Sequence, residues 1–191
     1  MNIIFAILKR IKSIINKLVS FKLCYIYLDS AIGTEKDFEG FKVAPGRKDD
    51  LKRLASLVDD KKYCIFEKRM EYKNQLYLLE YKGEIVGYRW LSKDLIIYPE
   101  TKIVKYLPRN TVYAYDAFIS PQFRGKGLFG FFTSKIMDDC IENGVKLGSY
   151  SDFSNKSAQR AKEKQGSRKE SLILLIKFFD RWEFIKHVKS Y

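Results

Sequence analysis

Two glycines and two cations are spaced for anion binding in the segment Gln122-Phe123-Arg124-Gly125-Lys126-Gly127. The glycines allow the backbone to approach a ligand closely, and Arg124 and Lys126 bring full positive charges. A predicted helix begins directly after Gly127, so its first backbone N–H groups lack intrahelical partners and carry partial positive charge. This combination favours a phosphate or pyrophosphate ligand.

The elements on either side of the turn support that interpretation. Residues 112–119 form an apolar run rich in β-branched and aromatic residues, which is typical of a buried strand. The following Pro121 ends the strand because proline has no backbone N–H to donate. Residues 128–143 then carry apolar side chains at helical spacing. The sequence therefore places the glycine turn between a strand and the start of an amphipathic helix.

In this context, Gln122-x-x-Gly125-x-Gly127 resembles the acyl-CoA pyrophosphate motif, (Gln/Arg)-x-x-Gly-x-(Gly/Ala), of the GNAT family of N-acetyltransferases. The third glycine of the Rossmann pattern and the Gly-Lys-Ser/Thr of the P-loop are absent. The resemblance implies that the co-substrate is acetyl-CoA and that the reaction uses no metal. It also implies that strands 112–119 and 146–150 splay apart, so that the pantetheine chain of acetyl-CoA lies between them. The implied cofactor-binding residues are Phe118, Ile119, Gln122, Phe123, Arg124, Gly125, Lys126, Gly127, Leu128 and Asn155.

The resemblance also implies direct attack of a primary amine on the thioester, which requires a group that takes the amine proton. Asp116 is the first candidate because apolar neighbours flank it on the predicted strand. Its alternative role is that of a structural carboxylate hydrogen-bonded at the strand surface. Glu80, on a predicted hairpin, is the second candidate.

One departure from the family concerns the acid that protonates the leaving thiolate. The family commonly has Asn-x-x-Ala-x-x-x-Tyr-x-Lys-x-Gly-Phe around its fourth helix, and the tyrosine is that acid. Here Lys162 stands at the tyrosine position and Ser167 at the phenylalanine position. Either Lys162 or Tyr150 therefore replaces the tyrosine, or the thiolate leaves unassisted. The positions that match are Asn155, Ala158, Lys164 and Gly166.

Hydrophobic periodicity in the rest of the chain predicts the other elements. Gln75–Tyr81 and residues 84–91 form a hairpin around Lys82-Gly83, whereas residues 61–73 fit either a second helix or a substrate-facing loop. Further strands are predicted at 41–44, 95–98, 146–150, 172–176 and 182–188, and further helices at 49–60 and 155–165. The expected fold class is α+β (mixed α/β), a GNAT-type mixed sheet of six to seven strands flanked by helices.

The N-terminal segment has a different pattern. Within residues 2–28, apolar residues recur at helical spacing and lysines fill the other face, which predicts a basic amphipathic helix of about 18–20 residues. Residues 21–28 fit an extra edge strand. The helix either packs on the domain, pairs with a second subunit, or lies on an anionic membrane surface. We therefore divide the chain into 1–36, this helix and a linker, and 37–191, an acyl-CoA-binding acetyltransferase domain.

Composition limits the function classes. The 191 residues suit one hydrophobic core. The three cysteines are scattered, which argues for a reducing compartment and against a zinc site. No 18-residue stretch is free of charge, so we expect no conventional transmembrane helix. The net charge of +13 fits a polyanionic co-substrate. We do not expect nucleic acid as a partner, because the sequence contains no recognisable nucleic-acid-binding motif.

We expect a cytoplasmic N-acyltransferase, peripheral on the membrane if the N-terminal helix binds it, that acts on a small-molecule amine such as an amino sugar in envelope polysaccharide assembly. The alternative function is that of a non-catalytic scaffold that binds CoA or a membrane surface. The resemblance also allows for a homodimer, because dimers are common in the family.

Overall fold

The computed structural model describes residues 19–28, 38–93, 95–97, 104–106, 110–178 and 182–190. The helices in these residues are α1 (Asp50–Leu54), α2 (Asp60–Glu71), α3 (Leu128–Glu142) and α4 (Lys156–Lys164), with a 3-10 turn at Pro121–Phe123. The strands are β1 (Val19–Leu28), β2 (Phe41–Gly46), β3 (Gln75–Tyr81), β4 (Glu84–Ser92), β5 (Leu95–Ile97), β6 (Val104–Tyr106), β7 (Thr111–Ile119), β8 (Lys146–Asp152), β9 (Arg168–Phe178) and β10 (Trp182–Ser190).

Eight of these strands form one mixed sheet in the order β10-β9-β1-β8-β7-β4-β3-β2, while β5 and β6 pair separately. Strands β7 and β8 run parallel, and the other neighbouring strands in the described sheet pair antiparallel. The predicted α+β class with a mixed sheet and flanking helices is confirmed. The sheet has eight strands instead of the expected six or seven because β1 belongs to it.

The position of β1 corrects the prediction of an extra edge strand at residues 21–28. Strand β1 lies inside the sheet, between β8 and β9, and residues 19–28 therefore share the sheet with the predicted acetyltransferase domain. It has buried side chains on both faces, Cys24 and Ile26 on one at 0% and 6% exposure and Tyr27 on the other at 0%. A strand covered on both faces shows a continuous apolar run instead of alternation, which explains why its pattern looked irregular.

The predicted amphipathic helix, over residues up to 18, and most of the linker to residue 36 lie outside the described residues. Among the helices that the structure describes, none combines the length and apolar character needed to span a membrane.

Two apolar layers cover the two faces of the sheet. On one face, Phe66 of α2 packs with Tyr88, Trp90 and Tyr113 of the central strands. The helix that contains Phe66 settles the ambiguous stretch 61–73, because Asp59 caps its first turn by accepting from the Lys62 backbone N–H at 2.8 Å. The predicted helix over 49–60 is shorter, since the chain leaves α1 at Leu54 and this new helix begins at Asp60.

On the opposite face, α3 covers the centre of the sheet. Its buried residues Phe132 and Ile136 pack with Val112, Ala114 and Leu147 of β7 and β8. The helix matches the one predicted at 128–143 within one residue. The sheet thus holds α2 on one side of the parallel pair and α3 on the other, which places both helices near the point where β7 and β8 meet.

Candidate functional site

The two parallel strands separate partway along their length. Their register runs from Thr111 opposite Lys146 to Ala114 opposite Ser149, and no described pairing joins them beyond that point. From Tyr115 to Ile119, β7 pairs with β4 alone. Its other edge therefore presents backbone groups to a gap, which agrees with the splaying expected for strands 112–119 and 146–150.

A β-bulge at Asp116 shifts the side chains at this gap. The register of β4 with β7 passes from Trp90 opposite Tyr115 to Arg89 opposite Ala117, so Asp116 is the extra residue. It adopts a left-handed backbone with φ of 42°. Because of this insertion Asp116 joins Tyr115 on the α2 face, whereas strict alternation would have placed it opposite.

The first cavity, here the glycine-loop cavity, lies beyond Asp116 and has a volume of about 330 Å³. Gly125 and Gly127 have φ of 76° and 83°, and Gly127 is the N-cap of α3. A side chain would be strained at either φ, so glycine is required for this approach to the helix N-terminus. The cavity is lined by Ala117, Phe118, Ile119, Phe123, Arg124, Gly125, Gly127, Leu128 and Phe129.

The two cations of the glycine loop have different surroundings. Arg124 donates from Nε to the carbonyl oxygen of Ile119 at 2.7 Å, and its guanidinium lies 5.5 Å from the centre of the Phe118 ring. It therefore ties the loop to the end of β7. Lys126 is exposed, with Nζ 5.7 Å from the centre of the Phe123 ring, and does not line the cavity.

The second cavity, here the α2 cavity, lies on the opposite face and has a volume of about 360 Å³. Asp116 lines this cavity while its neighbour Ala117 lines the glycine-loop cavity, so the two adjoin at the bulge. Both volumes fall in the range of small-molecule sites. The α2 cavity is lined by Asp59, Lys61, Lys62, Ile65, Arg69, Asp116 and Tyr150.

An ion-pair cluster organises the α2 cavity. Arg69 donates from Nη1 to Asp116 Oδ2 at 2.5 Å, and Lys62 Nζ lies 3.3 Å from Asp116 Oδ1. The Arg69 guanidinium also lies 4.9 Å and 5.4 Å from the ring centres of Tyr115 and Trp90. Asp116, which the sequence placed among apolar neighbours, is thus held between two cations.

The electrostatic surroundings shift the pKa values of two neighbouring groups. Burial alone would lower the pKa of Lys62, but its interaction with Tyr88 and the charge of Asp116 raise that pKa above its ordinary value. Burial raises the pKa of Tyr115 to about 12, although the nearby charge of Arg69 opposes this shift. Lys62 therefore stays charged and Tyr115 stays neutral at neutral pH.

Lys162 lies at the fork of the two strands. It is 7% exposed and donates from Nζ to Ser149 Oγ at 2.6 Å. Ser149 is the last β8 residue paired with β7, so the ammonium group sits where the gap opens. Tyr150, the next residue, stacks on Tyr113 with ring centres 5.8 Å apart and lines the α2 cavity.

The described residues match solved structures in their fold. A GNAT-family acetyltransferase from Novosphingobium aromaticivorans matches with a TM-score of 0.59 at 16% identity, covering 84% of this chain and 66% of that one. A GNAT-family acetyltransferase from Colwellia psychrerythraea matches with a TM-score of 0.56 at 12% identity, covering 93% and 62%. The chain has the GNAT fold.

A conserved protein of unknown function from Staphylococcus epidermidis also matches, with a TM-score of 0.57 at 10% identity, covering 91% of this chain and 67% of that one. This chain spans about two thirds or less of the length of the first structures it matches. No protein-family model and no curated protein matches the sequence.

Besides Lys126 and Lys162, three of the predicted site residues line neither of the two cavities. Glu80 accepts from Arg53 Nη2 at 2.7 Å near the turn of the β3–β4 hairpin, and it lines neither cavity. Asn155 has a structural role as the N-cap of α4, where it accepts from the Ala158 backbone N–H at 3.0 Å. Gln122 is exposed in the 3-10 turn beside the glycine-loop cavity and does not line it.

The sequence did not single out the cations of α2. Lys62, Phe66 and Arg69 follow the i, i+4, i+7 spacing of one helix face, and this spacing was the available signal in the stretch 61–73. It was insufficient because the partner, Asp116, is 47 residues from Arg69. Among the described residues, no group of three or more metal-ligating side chains is assembled.

Proposed function

We propose that this protein transfers an acetyl or other acyl group from acyl-CoA to a primary amine. The gap between β7 and β8, open beyond Ala114 and Ser149, is the observation that carries the proposal. It joins a cavity that ends at an anion-favouring glycine loop to a second cavity that is lined by charged side chains. A thioester in the gap would be reachable from both sides.

The glycine-loop cavity suits the CoA end of the donor. Backbone N–H groups from 124 to 129 would hold the pyrophosphate, and Arg124 and Lys126 would add charge. The unpaired edge of β7 at 117–119 would bond to pantetheine as an added strand does. Gln122 and Asn155 would contact CoA from the rim of the site.

The α2 cavity suits the amine. Its nitrogen attacks the thioester carbonyl carbon, a C–N bond forms and the C–S bond breaks, while one proton leaves the nitrogen and one reaches the sulfur. Of the two carboxylates that line the α2 cavity, Asp116 lies at the bulge in β7 beside the gap, and it would take the amine proton directly or through water. Tyr150 would contact the acceptor, and Glu80 is the weaker candidate for the base because it lies outside both cavities.

Lys162 is the proposed acid for the leaving thiolate. A lysine ammonium at the fork can donate a proton where the family uses a tyrosine hydroxyl, and Ser149 orients it. We expect Lys162→Met to lower kcat about tenfold or more, with the acetyl-CoA dissociation constant nearly unchanged. Lys164→Met is the matched control, because Lys164 lies exposed on the same helix. Equal kcat values for both variants would remove Lys162 from the reaction.

The primary experiment is incubation of the purified protein with acetyl-CoA and a panel of amines, with free thiol as the readout. Amine-dependent thiol release is the expected result. CoA binding without release from any amine would favour the non-catalytic scaffold. For the base, Asp116→Asn should remove the acid limb of the pH–rate profile for kcat/KM, and an unchanged limb would exclude it.

The amino-sugar acceptor and the membrane association extend this proposal. The membrane association is tested by flotation with anionic vesicles, in which the full chain is compared with a shortened protein that begins at Val19. The cut belongs there because β1 starts at Val19 and occupies the interior of the sheet. Loss of flotation on removal of residues 1–18 is expected, and equal flotation would contradict membrane binding by that segment.

A further inference from the structure

We propose that the α2 cavity recognises its acceptor through an anionic group, so that the substrates are amines that also carry a carboxylate or a phosphate. The proposal rests on the acyl transfer proposed above and names the class of acceptor for the same site. The charges that line the cavity carry it.

The α2 cavity contains more cationic than anionic side chains. Lys61, Lys62 and Arg69 line it against Asp59 and Asp116, a balance of three to two. A neutral or purely cationic amine would gain nothing from the excess charge. An acceptor with its own negative group would neutralise it.

The two carboxylates are already engaged. Asp116 has Arg69 at one oxygen and Lys62 at the other, at 2.5 Å and 3.3 Å. Asp59 accepts from the backbone N–H of Lys62 as the N-cap of α2, where the helix dipole favours its negative charge. Within the part of the chain that the structure describes, Lys61 forms no ion pair. Its ammonium group is therefore the cation left to bind a ligand.

The other two cations are held in place before any ligand arrives. Arg69 has a side chain 12% exposed, packed against the Phe66, Trp90 and Tyr115 rings at 5.3, 5.4 and 4.9 Å from their centres. Fixed charges bind a ligand with little loss of side-chain entropy. The cavity thus offers a pre-organised positive wall beside the gap, and the ammonium group of Lys61 at its exposed side.

The same charges assist the chemistry. A nearby positive charge disfavours the protonated form of an amine, so the acceptor nitrogen would enter as the neutral nucleophile more readily beside Lys62 and Arg69. The same charges would weaken binding of the amine, because they repel its protonated form. An anionic group on the acceptor would restore the binding free energy by attraction to the cations. Binding and activation of the amine therefore depend on one arrangement.

The test compares matched acceptors that differ in the anionic group. Glucosamine 6-phosphate is paired with glucosamine, and alanine with alaninamide, in the thiol-release assay with the full chain. We expect the anionic member of at least one pair to have a kcat/KM about tenfold higher. We also expect Lys61→Gln to reduce this preference about fivefold by raising KM, and 0.5 M salt to reduce it as well.

Lys68→Gln is the matched control, since Lys68 is exposed on the same helix and does not line the cavity. It should leave the preference unchanged. Equal use of both members of every pair, or a preference that Lys61→Gln leaves intact, would overturn the proposal while the acyltransferase function stands.

Binding is measured separately by titrating glucosamine 6-phosphate and alanine into the protein with CoA present. If either binds, and Lys61→Gln but not Lys68→Gln weakens it, the anion site is supported even when no amine is acetylated, and only the proposed reaction fails. If neither binds and neither is acetylated, the anion site is wrong.

Discussion

The glycine-loop cavity and the α2 cavity adjoin at the bulge but are built in different ways. The first comes from one continuous segment, since its lining residues all fall between 117 and 129. The second combines one face of α2, the bulge in β7 and the part of β8 beyond its pairing with β7, from residue 59 to residue 150. A donor site made of local backbone geometry can be read as a motif, whereas an acceptor site made of distant side chains cannot.

The positive character of the two cavities also has different sources. In the glycine-loop cavity it comes from backbone N–H groups at the start of α3, with Arg124 and Lys126 near the surface. In the α2 cavity it comes from side chains in an ion-pair cluster. We therefore expect the two sites to respond to different substitutions, and the following predictions test that separation.

The largest effect is expected from Gly125→Glu. The new side chain would strain a backbone with φ of 76° and place a carboxylate at the proposed pyrophosphate site. CoA affinity should fall a hundredfold or more, which is about 3 kcal/mol, as measured by calorimetric titration. Gly144→Glu is the control, because Gly144 has φ of 65° with open space around it and lies at the far end of α3. A similar loss in both variants would mean that strain alone is responsible.

Arg69→Met should affect the other cavity. It leaves the half-buried Asp116 with Lys62 as its remaining cation in the cluster, and we expect the free energy of unfolding to fall by about 2 kcal/mol. Arg53→Met, which breaks surface ion pairs with Asp50 and Glu80, should cost about 1 kcal/mol or less. Denaturant unfolding gives both values, and CoA affinity should change less than threefold in Arg69→Met. A large loss of CoA affinity would show that the two cavities are coupled.

Stability at alkaline pH reports on the aromatic wall of the α2 cavity. Tyr115 has a pKa of about 12 in the folded protein, raised by burial, against about 10 in the unfolded chain. Between these values the unfolded state loses its proton first, so this contribution is complete below pH 10 and is lost as the pH rises to 12. We expect Tyr115→Phe to remove about 2 kcal/mol of that loss at pH 12, at about 1.4 kcal/mol for each pH unit between the two pKa values. Unfolding curves from pH 8 to 12 test this, and an unchanged slope would contradict it.

The smallest effect is expected from Lys126→Ala. Lys126 is exposed beside the glycine loop, so its removal should weaken CoA binding about two- to threefold at low salt and little at 0.5 M salt. Lys135→Ala is the control, since Lys135 sits over Phe131 much as Lys126 sits over Phe123, but on the body of α3. A tenfold loss in Lys126→Ala would move this lysine into the site itself.

Much of the fold was predictable from local patterns. The hairpin of β3 and β4 followed from alternation around Lys82-Gly83, both with positive φ in the structure, and α3 followed from its apolar spacing. The place of β1 was not predictable, because a strand covered on both faces gives no alternation and its partners, β8 and β9, lie more than 100 residues along the chain.

The candidate site divides along the same line. Gly125 and Gly127 identified their cavity because backbone conformation and helix start depend on neighbouring residues. Asp116 was noticed as a carboxylate, but its bulge and its pairing with Arg69 depend on β4 and α2. Lys162 was noticed only as a departure from the family pattern, and packing placed it at the fork.

The sequence by itself determined the strand, the glycine turn and the helix that follows, because these depend on φ, on proline and on apolar spacing within about 30 residues. The tertiary structure decided which strand entered the sheet beside β8, which face Asp116 occupies and which cations surround it. The physical reason is that an ion pair or a strand pairing between residues far apart in sequence depends on how the whole sheet assembles. A local sequence pattern does not specify which distant residues will meet.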